Sequence, residues 1–150
     1  MTTVPSTINV MPPVTETGSR TSSSLQYNAN VAQSKTRIPE ISVVIPVFNE
    51  EDNIALLYQK LVSALDALGR SWEAVLIDDG STDSSFNKLA EIAGTDERIK
   101  VVRFVKNFGQ TAALAAGIDH ARGDVIIPMD ADLQNDPADV RRLLDKLDEG

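Results

Sequence analysis

The spacing of hydrophobic residues changes repeatedly after residue 38 and predicts alternating strands and helices. Short, mostly β-branched or apolar runs predict strands at 41–47, 72–77, 99–105 and 124–129. Apolar residues at three- and four-residue spacing predict helices over 50–68, 82–93, 110–121 and 137–147. This alternation predicts an α/β, Rossmann-like domain whose sheet is mainly parallel and carries helices on both faces.

Residues at the ends of these runs predict where two of the helices begin. Asn49 is expected to be the N-cap of the first helix, and Asp136 the N-cap of the last, with Pro137 at its first position. The apolar residues of the last helix that are expected to face the core are Val140, Leu143, Leu144 and Leu147.

Residues 1–37 have a different composition, rich in Ser, Thr, Pro and Asn with scattered apolar residues. Such a segment buries too little surface to offset the entropy lost on ordering. It is therefore expected to be a disordered tail, or alternatively a docking segment for a partner. Residues 38–150 are expected to form the folded domain.

Composition narrows the chemistry that this domain can perform. The chain has no cysteine and a single histidine, so any metal must be bound mainly by oxygen, which favours Mg²⁺ or Mn²⁺. His120 lies near the end of a predicted helix, where stabilising the helix C-terminus explains it best. The net charge of −8 argues against nucleic acid as a partner. No apolar run is long enough to span a bilayer, and no secretory signal is present.

Polar clusters follow each predicted strand: Asn49-Glu50, Asp78-Asp79, Asn107 and Asp130-Ala131-Asp132. In a parallel sheet the carboxyl ends of the strands lie at one edge, where ligands bind. The sequence therefore predicts one site built from these clusters.

Asp130 and Asp132 give the strongest signal. Two carboxylates so close repel each other unless a cation lies between them, and a divalent cation would also bind phosphate oxygens. Gln134 adds a neutral oxygen as a third candidate ligand. The alternative is that both acids only close a turn.

The other clusters allow both a binding and a structural interpretation. Of Asp78 and Asp79, one is expected to accept a hydrogen bond from a nucleobase N–H and the other to hold the loop, although a turn is equally compatible. Phe48 offers a ring for base stacking and Glu50 an acceptor for a ribose hydroxyl, while core packing and helix capping are the alternatives.

The loop after the third predicted strand has the same ambiguity. Lys106 and the helix start at Gln110 suit an anionic ligand. The alternative is a Gly-containing loop with a solvated lysine.

Together these motifs resemble family 2 glycosyltransferases of the GT-A fold. Three blocks carry the resemblance, which covers about residues 41–150: 44–51 (Val-Ile-Pro-Val-Phe-Asn-Glu-Glu), 76–83 (Leu-Ile-Asp-Asp-Gly-Ser-Thr-Asp) and 129–134 (Met-Asp-Ala-Asp-Leu-Gln). Residues 106–114 are similar to the Arg-Asn-Phe-Gly stretch of polyprenyl-phosphate glycosyltransferases, the branch of bactoprenol glucosyltransferases and dolichol-phosphate mannose synthases. Lys106 replaces the usual arginine there, and Phe48 replaces the commoner tyrosine.

The resemblance implies roles for individual residues. Asp130 and Asp132 would be the catalytic pair and would hold Mg²⁺ or Mn²⁺ together with Gln134. The implied contacts to the nucleotide-sugar are Pro46, Phe48, Glu50, Ile77, Asp78, Asp79, Lys106, Gln110, Asp130, Ala131 and Asp132. Among these, Asp78 would support the base pocket rather than line it.

The reaction implied by the resemblance is transfer, with inversion, of a sugar from a UDP-sugar to polyprenyl (undecaprenyl) phosphate. Glucose is the first choice of sugar, and a GDP-sugar is the alternative donor. The family also implies a place at the cytoplasmic face of the cell membrane, reached through segments outside this chain, and assembly into a homo-oligomer. Residues 38–150 correspond to the donor-binding half, apparently truncated at the C-terminus, so the isolated chain is expected to show little transfer.

Two alternatives follow from the same residues. The first is a catalytically inactive nucleotide-sugar-binding module. The second is a receiver-type signalling domain, which is disfavoured because its acidic pair should follow the first strand. A phosphatase with an Asp-x-Asp nucleophile is weaker still, because it too should carry its pair after the first strand.

Overall fold

The computed structural model describes residues 38–132 and 136–150, and the backbone of residues 8–11. Its strands are β1 (Ile8–Met11), β2 (Ile41–Val47), β3 (Trp72–Asp78), β4 (Ile99–Phe104) and β5 (Val125–Pro128). Its helices are α1 (Ile54–Asp66), α2 (Ser85–Thr95), α3 (Gln110–His120) and α4 (Asp139–Asp148). All four predicted strands and all four predicted helices are present.

The strands form one sheet in the order β1-β4-β3-β2-β5. β2 pairs in parallel with both β3 and β5, and β3 pairs in parallel with β4. The expected mainly parallel sheet is thus confirmed. A receiver-type sheet would place the second and third strands of the parallel series beside the first, whereas here β2 lies between the second (β3) and the fourth (β5).

Helices cover both faces of the sheet, as expected. On one face, α1, α2 and α4 contribute Leu57, Leu89 and Leu144 to a core that includes Ile45 and Leu76 of the strands. On the other face, α3 packs through its small residues onto a second core, whose members include Val44, Ile77, Phe104 and Ala113. Because strand side chains alternate between faces, both cores draw on the same β2 and β3.

Helix α3 approaches the sheet unusually closely at Gly117. A Cβ atom at this position would lie 2.2 Å from Cγ1 of Val44 and 2.5 Å from Cδ1 of Ile77. Only glycine therefore allows this spacing between α3 and the sheet. Ala113 and Ala116 continue the contact along the same helix.

A buried polar network lies at the opposite end of the sheet from the polar clusters. Glu73, near the start of β3, accepts a hydrogen bond from the hydroxyl of Ser42 on β2 and one from the backbone N–H of Arg122, both at 2.7 Å. It also forms an ion pair with Lys100 of β4. Burial alone would raise the pKa of Glu73, but these donors outweigh it and lower the pKa below its usual value.

Helix starts differ from the prediction at both expected caps. α1 begins at Ile54 rather than at residue 50, and Asn49 adopts a left-handed conformation with φ of 51°. α4 begins at Asp139, and Asp136 instead accepts a hydrogen bond from the N–H of Ala138 in the preceding turn. The side chain of Asp136 closes the turn before α4, whereas that of Asn49 accepts from the backbone of Thr82 in another loop. Composition alone does not distinguish either role from a cap.

The apolar face of α4 is narrower than predicted. Val140 and Leu144 are buried, but Leu143 and Leu147 are 51% and 61% exposed. In the described part of the chain α4 lies at the margin of the core, so only one side-chain row is covered.

The segment expected to be a disordered tail contains a strand. Residues 8–11 pair antiparallel with β4, with Ile8 opposite Phe104 and Met11 opposite Val101. β4 offers an edge whose backbone groups would otherwise lack strand partners on that side, and β1 supplies those partners. The remaining residues of 1–37 lie outside the described part.

No helix among the described residues has both the length and the hydropathy needed to cross a membrane.

Candidate functional site

The loops that follow β2 and β5 lie where the chain changes direction in the sheet. The chain passes from β2 outward through β3 to β4 and then returns to the other side of β2 as β5. Such a switch point leaves a crevice between the two loops. A cavity of about 390 Å³ lies there, lined by Pro46, Val47, Phe48, Glu50, Asp79, Asn107, Gly109, Gln110, Asp130, Ala131 and Asp132.

The cavity is strongly acidic. Its lining includes the four carboxylates of Glu50, Asp79, Asp130 and Asp132, and none of its lining residues is lysine, arginine or histidine. The charged side chains that a phosphate group would meet in this lining are all negative. A divalent cation bound with the phosphate removes this conflict, since it attracts both partners.

The corner after β5 places two of these carboxylates beside each other in sequence. The N–H of Met129 continues the pairing with the carbonyl oxygen of Val44 at 2.9 Å, and the side chains of Met129 and Ala131 are buried in the core. Their anchoring leaves Asp130 half-buried and Asp132 exposed, both at the cavity.

These donors fit an oxygen-preferring divalent cation. Within residues 38–132 and 136–150 no group of three or more acids or histidines is arranged to hold a metal. Mg²⁺ and Mn²⁺ sites of this kind keep positions for phosphate oxygens and water. Gln134, the third predicted ligand, lies outside the described residues.

Asp79 holds the loop that follows β4. It is only 3% exposed, and its Oδ1 accepts from the N–H of Phe108 at 2.8 Å. Its Oδ2 accepts from the N–H of Gly109 at 3.0 Å and from Nδ2 of Asn107 at 3.3 Å. Asp79 therefore lines the cavity and also fixes the conformation of the neighbouring loop.

Gly80 allows this loop to come close. It has φ of 71°, and a Cβ atom there would lie 2.3 Å from the carbonyl carbon of Lys106. Any larger residue would separate the loop after β3 from the loop after β4 and break the contacts of Asp79.

Asp78 lies beneath the cavity rather than in its lining. It is fully buried; Oδ1 accepts from the N–H of Ser81 at 3.3 Å, while Oδ2 lies 3.6 Å from Nε of Arg103 and has no hydrogen-bond partner among the described residues. Burial raises the pKa of Asp78 against the opposing effect of Ser81 and Arg103. Its supporting role at the base pocket stays a prediction.

Besides Asp78, two further residues of the predicted contact set do not line the cavity. Ile77 is completely buried in the core beneath Gly117, because the alternation along β3 turns it towards α3. Lys106 is exposed and points its ammonium group at the ring of Phe108, 5.1 Å from the ring centroid. Neither residue lines the cavity in this structure, and their contact with the ligand stays a prediction.

The loop after β2 presents its aromatic residue to the cavity instead of to the core. Phe48 is 44% exposed, and Glu50 accepts a hydrogen bond from Nδ2 of Asn53 at 2.8 Å. Oδ1 of Asn49 accepts from the backbone N–H of Thr82 at 2.9 Å. Asn49 thus ties the loop after β2 to the loop after β3, which keeps Phe48 and Glu50 at the cavity.

Three lining residues were missing from the predicted contact set: Val47, Asn107 and Gly109. Asn107 had a signal, since it follows the end of β4. Gly109 had a weaker one, in the Asn-Phe-Gly sequence before a helix. Val47 had no such signal, because nothing in the sequence of an apolar, buried strand indicates that one of its residues borders a cavity.

Comparison with known proteins identifies relatives over the folded part. Residues 42–150 match the family model described as "Glycosyl transferase family 2". The undecaprenyl-phosphate 4-deoxy-4-formamido-L-arabinose transferases of Salmonella paratyphi B and Salmonella enteritidis are 45% identical over 114 residues, which is 75% of this chain and 35% of the relative. The chain thus spans about a third of the length of these relatives.

Solved structures share the fold. S. aureus TarS residues 1–349 in complex with UDP has 23% identity and a TM-score of 0.59, over 73% of this chain and 32% of that one. The crystal structure of a mycobacterial protein has 28% identity and a TM-score of 0.57, over 75% of this chain and 38% of that one.

Proposed function

Because the chain belongs to glycosyl transferase family 2, we propose that it is the donor-binding part of an inverting, metal-dependent glycosyltransferase. The donor is a UDP-sugar and the acceptor is a polyprenyl phosphate. The similarity to transferases named for undecaprenyl phosphate supports the acceptor class. So does the segment 106–114, with its Asn-Phe-Gly-Gln sequence at the cavity.

One observation carries the proposal. The cavity at the switch point carries four carboxylates and, among the described residues that line it, no basic side chain, yet it lies where α/β sheets bind nucleotides. This combination suits a diphosphate that arrives with a divalent cation, and it does not suit a free anion.

The residues divide between the two ends of the donor. Asp130, Asp132 and Gln134 would hold Mg²⁺ or Mn²⁺ and, through it, the diphosphate. The ion, when bound, stabilises the negative charge that develops on the leaving UDP. Phe48 and Pro46 would contact the base.

Glu50 would accept from the ribose. Its carboxylate already accepts from Asn53, which fixes its orientation at the cavity.

Transfer then requires no strong base from this part of the protein. A phosphate oxygen of the acceptor attacks the anomeric carbon from the face opposite UDP, and the bond between that carbon and the diphosphate oxygen breaks. Configuration at the anomeric carbon inverts. The acceptor phosphate is already ionised near neutral pH, so it needs no proton removed.

The sugar, the location and the assembly state are further parts of the proposal. Glucose is the first choice of donor sugar, whereas the relatives are named for 4-deoxy-4-formamido-L-arabinose. A lipid acceptor implies that the reaction takes place at a membrane surface, and we expect this to be the cytoplasmic face. We also expect the protein to assemble as a homo-oligomer.

Calorimetric titration of the 150-residue chain tests the proposal. UDP-glucose, UDP-N-acetylglucosamine, GDP-mannose and a nucleotide-activated 4-deoxy-4-formamido-L-arabinose are each titrated with and without Mn²⁺. We expect Mn²⁺-dependent binding that Asp132→Ala abolishes. The matched control is Asp124→Ala, an exposed acid just before the opposite end of β5, which should bind like the wild type. Binding that needs no metal, or that survives Asp132→Ala, would overturn the metal-dependent assignment.

The transfer step has its own test. The chain is incubated with the donor that binds and with undecaprenyl phosphate, and the product is analysed for anomeric configuration by NMR. Inversion is expected in any product formed, and a retained configuration would contradict the mechanism.

A further inference from the structure

Gln110 makes a contact across the cavity that joins two separate loops. It is the first residue of α3, and its Nε2 donates a 3.1 Å hydrogen bond to Oδ1 of Asp130, the first acid after β5. Both residues line the cavity. The contact therefore joins the β4–α3 loop directly to the carboxylate corner.

The backbone of Gln110 is fixed from two directions. On one side, the preceding N–H groups of Phe108 and Gly109 donate to the buried carboxylate of Asp79. On the other side, the helix that Gln110 starts is seated on the sheet at Gly117 without room for a Cβ atom. Because the backbone is already ordered, holding a partner costs only the side-chain entropy of Gln110.

An amide is well suited to hold an acid that must also bind a cation. It donates one hydrogen bond and orients the carboxylate, but it leaves the negative charge in place. A lysine or arginine at position 110 would cancel part of that charge and compete with the cation. Groups that orient metal ligands in this way typically change metal affinity when they are removed.

On the basis of the proposed function, we infer that Gln110 is a positioning residue for the metal ligand Asp130 and that Asp79 sets its place. Gln110 acts through Asp130 and not as a contact to the nucleotide. Two hydrogen bonds, Gly109 to Asp79 and Gln110 to Asp130, together with the peptide bond between Gly109 and Gln110, thereby connect the carboxylate that fixes the loop to the one proposed to bind the cation.

The test measures Mn²⁺ binding directly, by electron paramagnetic resonance of free Mn²⁺ in the presence of UDP. Gln110→Ala should weaken Mn²⁺ affinity by about tenfold, the lower end of the effect of groups that orient metal ligands. Gln110→Asn, whose amide is one methylene shorter, should give a similar loss. Thr111→Ala, at the exposed neighbouring position outside the cavity lining, should bind Mn²⁺ like the wild type, and all three variants should keep the wild-type melting temperature.

A double-mutant cycle separates this role from a direct ligand contact. In an Asp130→Asn background, Gln110→Ala should cause no further loss of Mn²⁺ affinity. An equal loss in both backgrounds, or wild-type affinity in Gln110→Ala alone, would overturn the inference. If the wild type itself binds no Mn²⁺ with UDP, the proposed function fails, and that result is read from the wild type alone.

Discussion

The backbone N–H of Phe108 donates a 2.8 Å hydrogen bond to Oδ1 of Asp79, a carboxylate buried at the end of the neighbouring strand. This contact joins the β3 end to the loop that starts α3. Asp79 therefore lines the cavity and also determines the shape of that cavity by holding the loop.

Replacing Asp79 by Asn should therefore loosen the loop. The amide keeps one acceptor oxygen but turns a donating NH₂ group towards either the N–H of Phe108 or the N–H of Gly109. We expect a loss of about 2 kcal/mol in the free energy of unfolding, since a buried donor is left unpaired. Chemical denaturation measures the loss, and hydrogen exchange at residues 106–110 locates it. Asp119→Asn, at an exposed position on α3, is the control. Unchanged exchange at Phe108 and Gly109 would show that Asp79 does not hold the loop.

Phe48 should contribute to binding and little to folding. Because its ring is 44% exposed at the cavity, Phe48→Ala should weaken UDP binding by about tenfold, within the range typical of base stacking on an aromatic ring. Phe48→Tyr should retain affinity. Calorimetry with UDP and Mn²⁺ gives the affinities, and thermal melts check stability. Full UDP affinity in Phe48→Ala would remove this residue from the base site.

Gly117→Ala should destabilise the protein, although alanine is the better helix former. The added methyl group would lie 2.2 Å from Cγ1 of Val44, so α3 must shift, at a cost of about 1–3 kcal/mol. The matched control is Gly94→Ala on α2, where a Cβ atom would meet nothing within 4 Å; it should be neutral or stabilising by up to about 1 kcal/mol. Urea denaturation gives the free energy of unfolding of both variants. Equal values would contradict the close packing of α3 on the sheet at Gly117.

Asp78 should make stability fall as the pH rises. Burial raises its pKa above the ordinary value of 3.8 in the folded state, so the folded protein binds this proton more tightly than the unfolded chain does. The stabilisation is complete below pH 3.8 and is lost as the pH rises through the higher folded value. The stability of Asp78→Asn relative to wild type should therefore improve between acid and neutral pH. A pH-independent difference in denaturation midpoints would count against this ionisation.

Glu73 should have the opposite pH dependence. Its folded pKa lies below the ordinary value of 4.5, so its contribution is present above that pH and is lost as the pH falls through the lower folded value. Glu73→Gln should cost about 2 kcal/mol at neutral pH, because charged hydrogen bonds in a buried network are weakened. The cost should shrink in acid, and denaturation at several pH values measures it. A constant cost would assign the effect of Glu73→Gln to packing.

The sequence predicted the sheet and the edge at which the cavity lies, because both depend on strong local signals. Apolar runs such as 41–47 have no alternative to burial, and the acids after them had to lie at the carboxyl ends of parallel strands. Membership in a glycosyltransferase family is likewise confirmed. The roles assigned to Asp130, Asp132 and Glu50 stay predictions.

What the sequence did not predict depends on tertiary contacts. Asn49 looks like a helix cap, but its oxygen is used by Thr82, a residue of another loop. Ile77 adjoins two acids in sequence and yet faces α3, since side chains alternate along a strand. Leu143 and Leu147 fit a helical apolar face, but their exposure depends on what lies beside α4. In each case the residue type fits the local pattern, but a contact with another element determines where the side chain lies.

The close packing of α3 on the sheet at Gly117 affects which substitutions can change the cavity. The same rigid rod that covers one face of the sheet carries Gln110 at its tip, roughly two turns away. Substitutions beneath Gly117 are therefore expected to move α3. Such a shift would displace Gln110 and, through their hydrogen bond, Asp130. On the proposed function, substitutions at Val44 or Ile77, which Gly117 contacts, are expected to change the affinity for the cation or the donor.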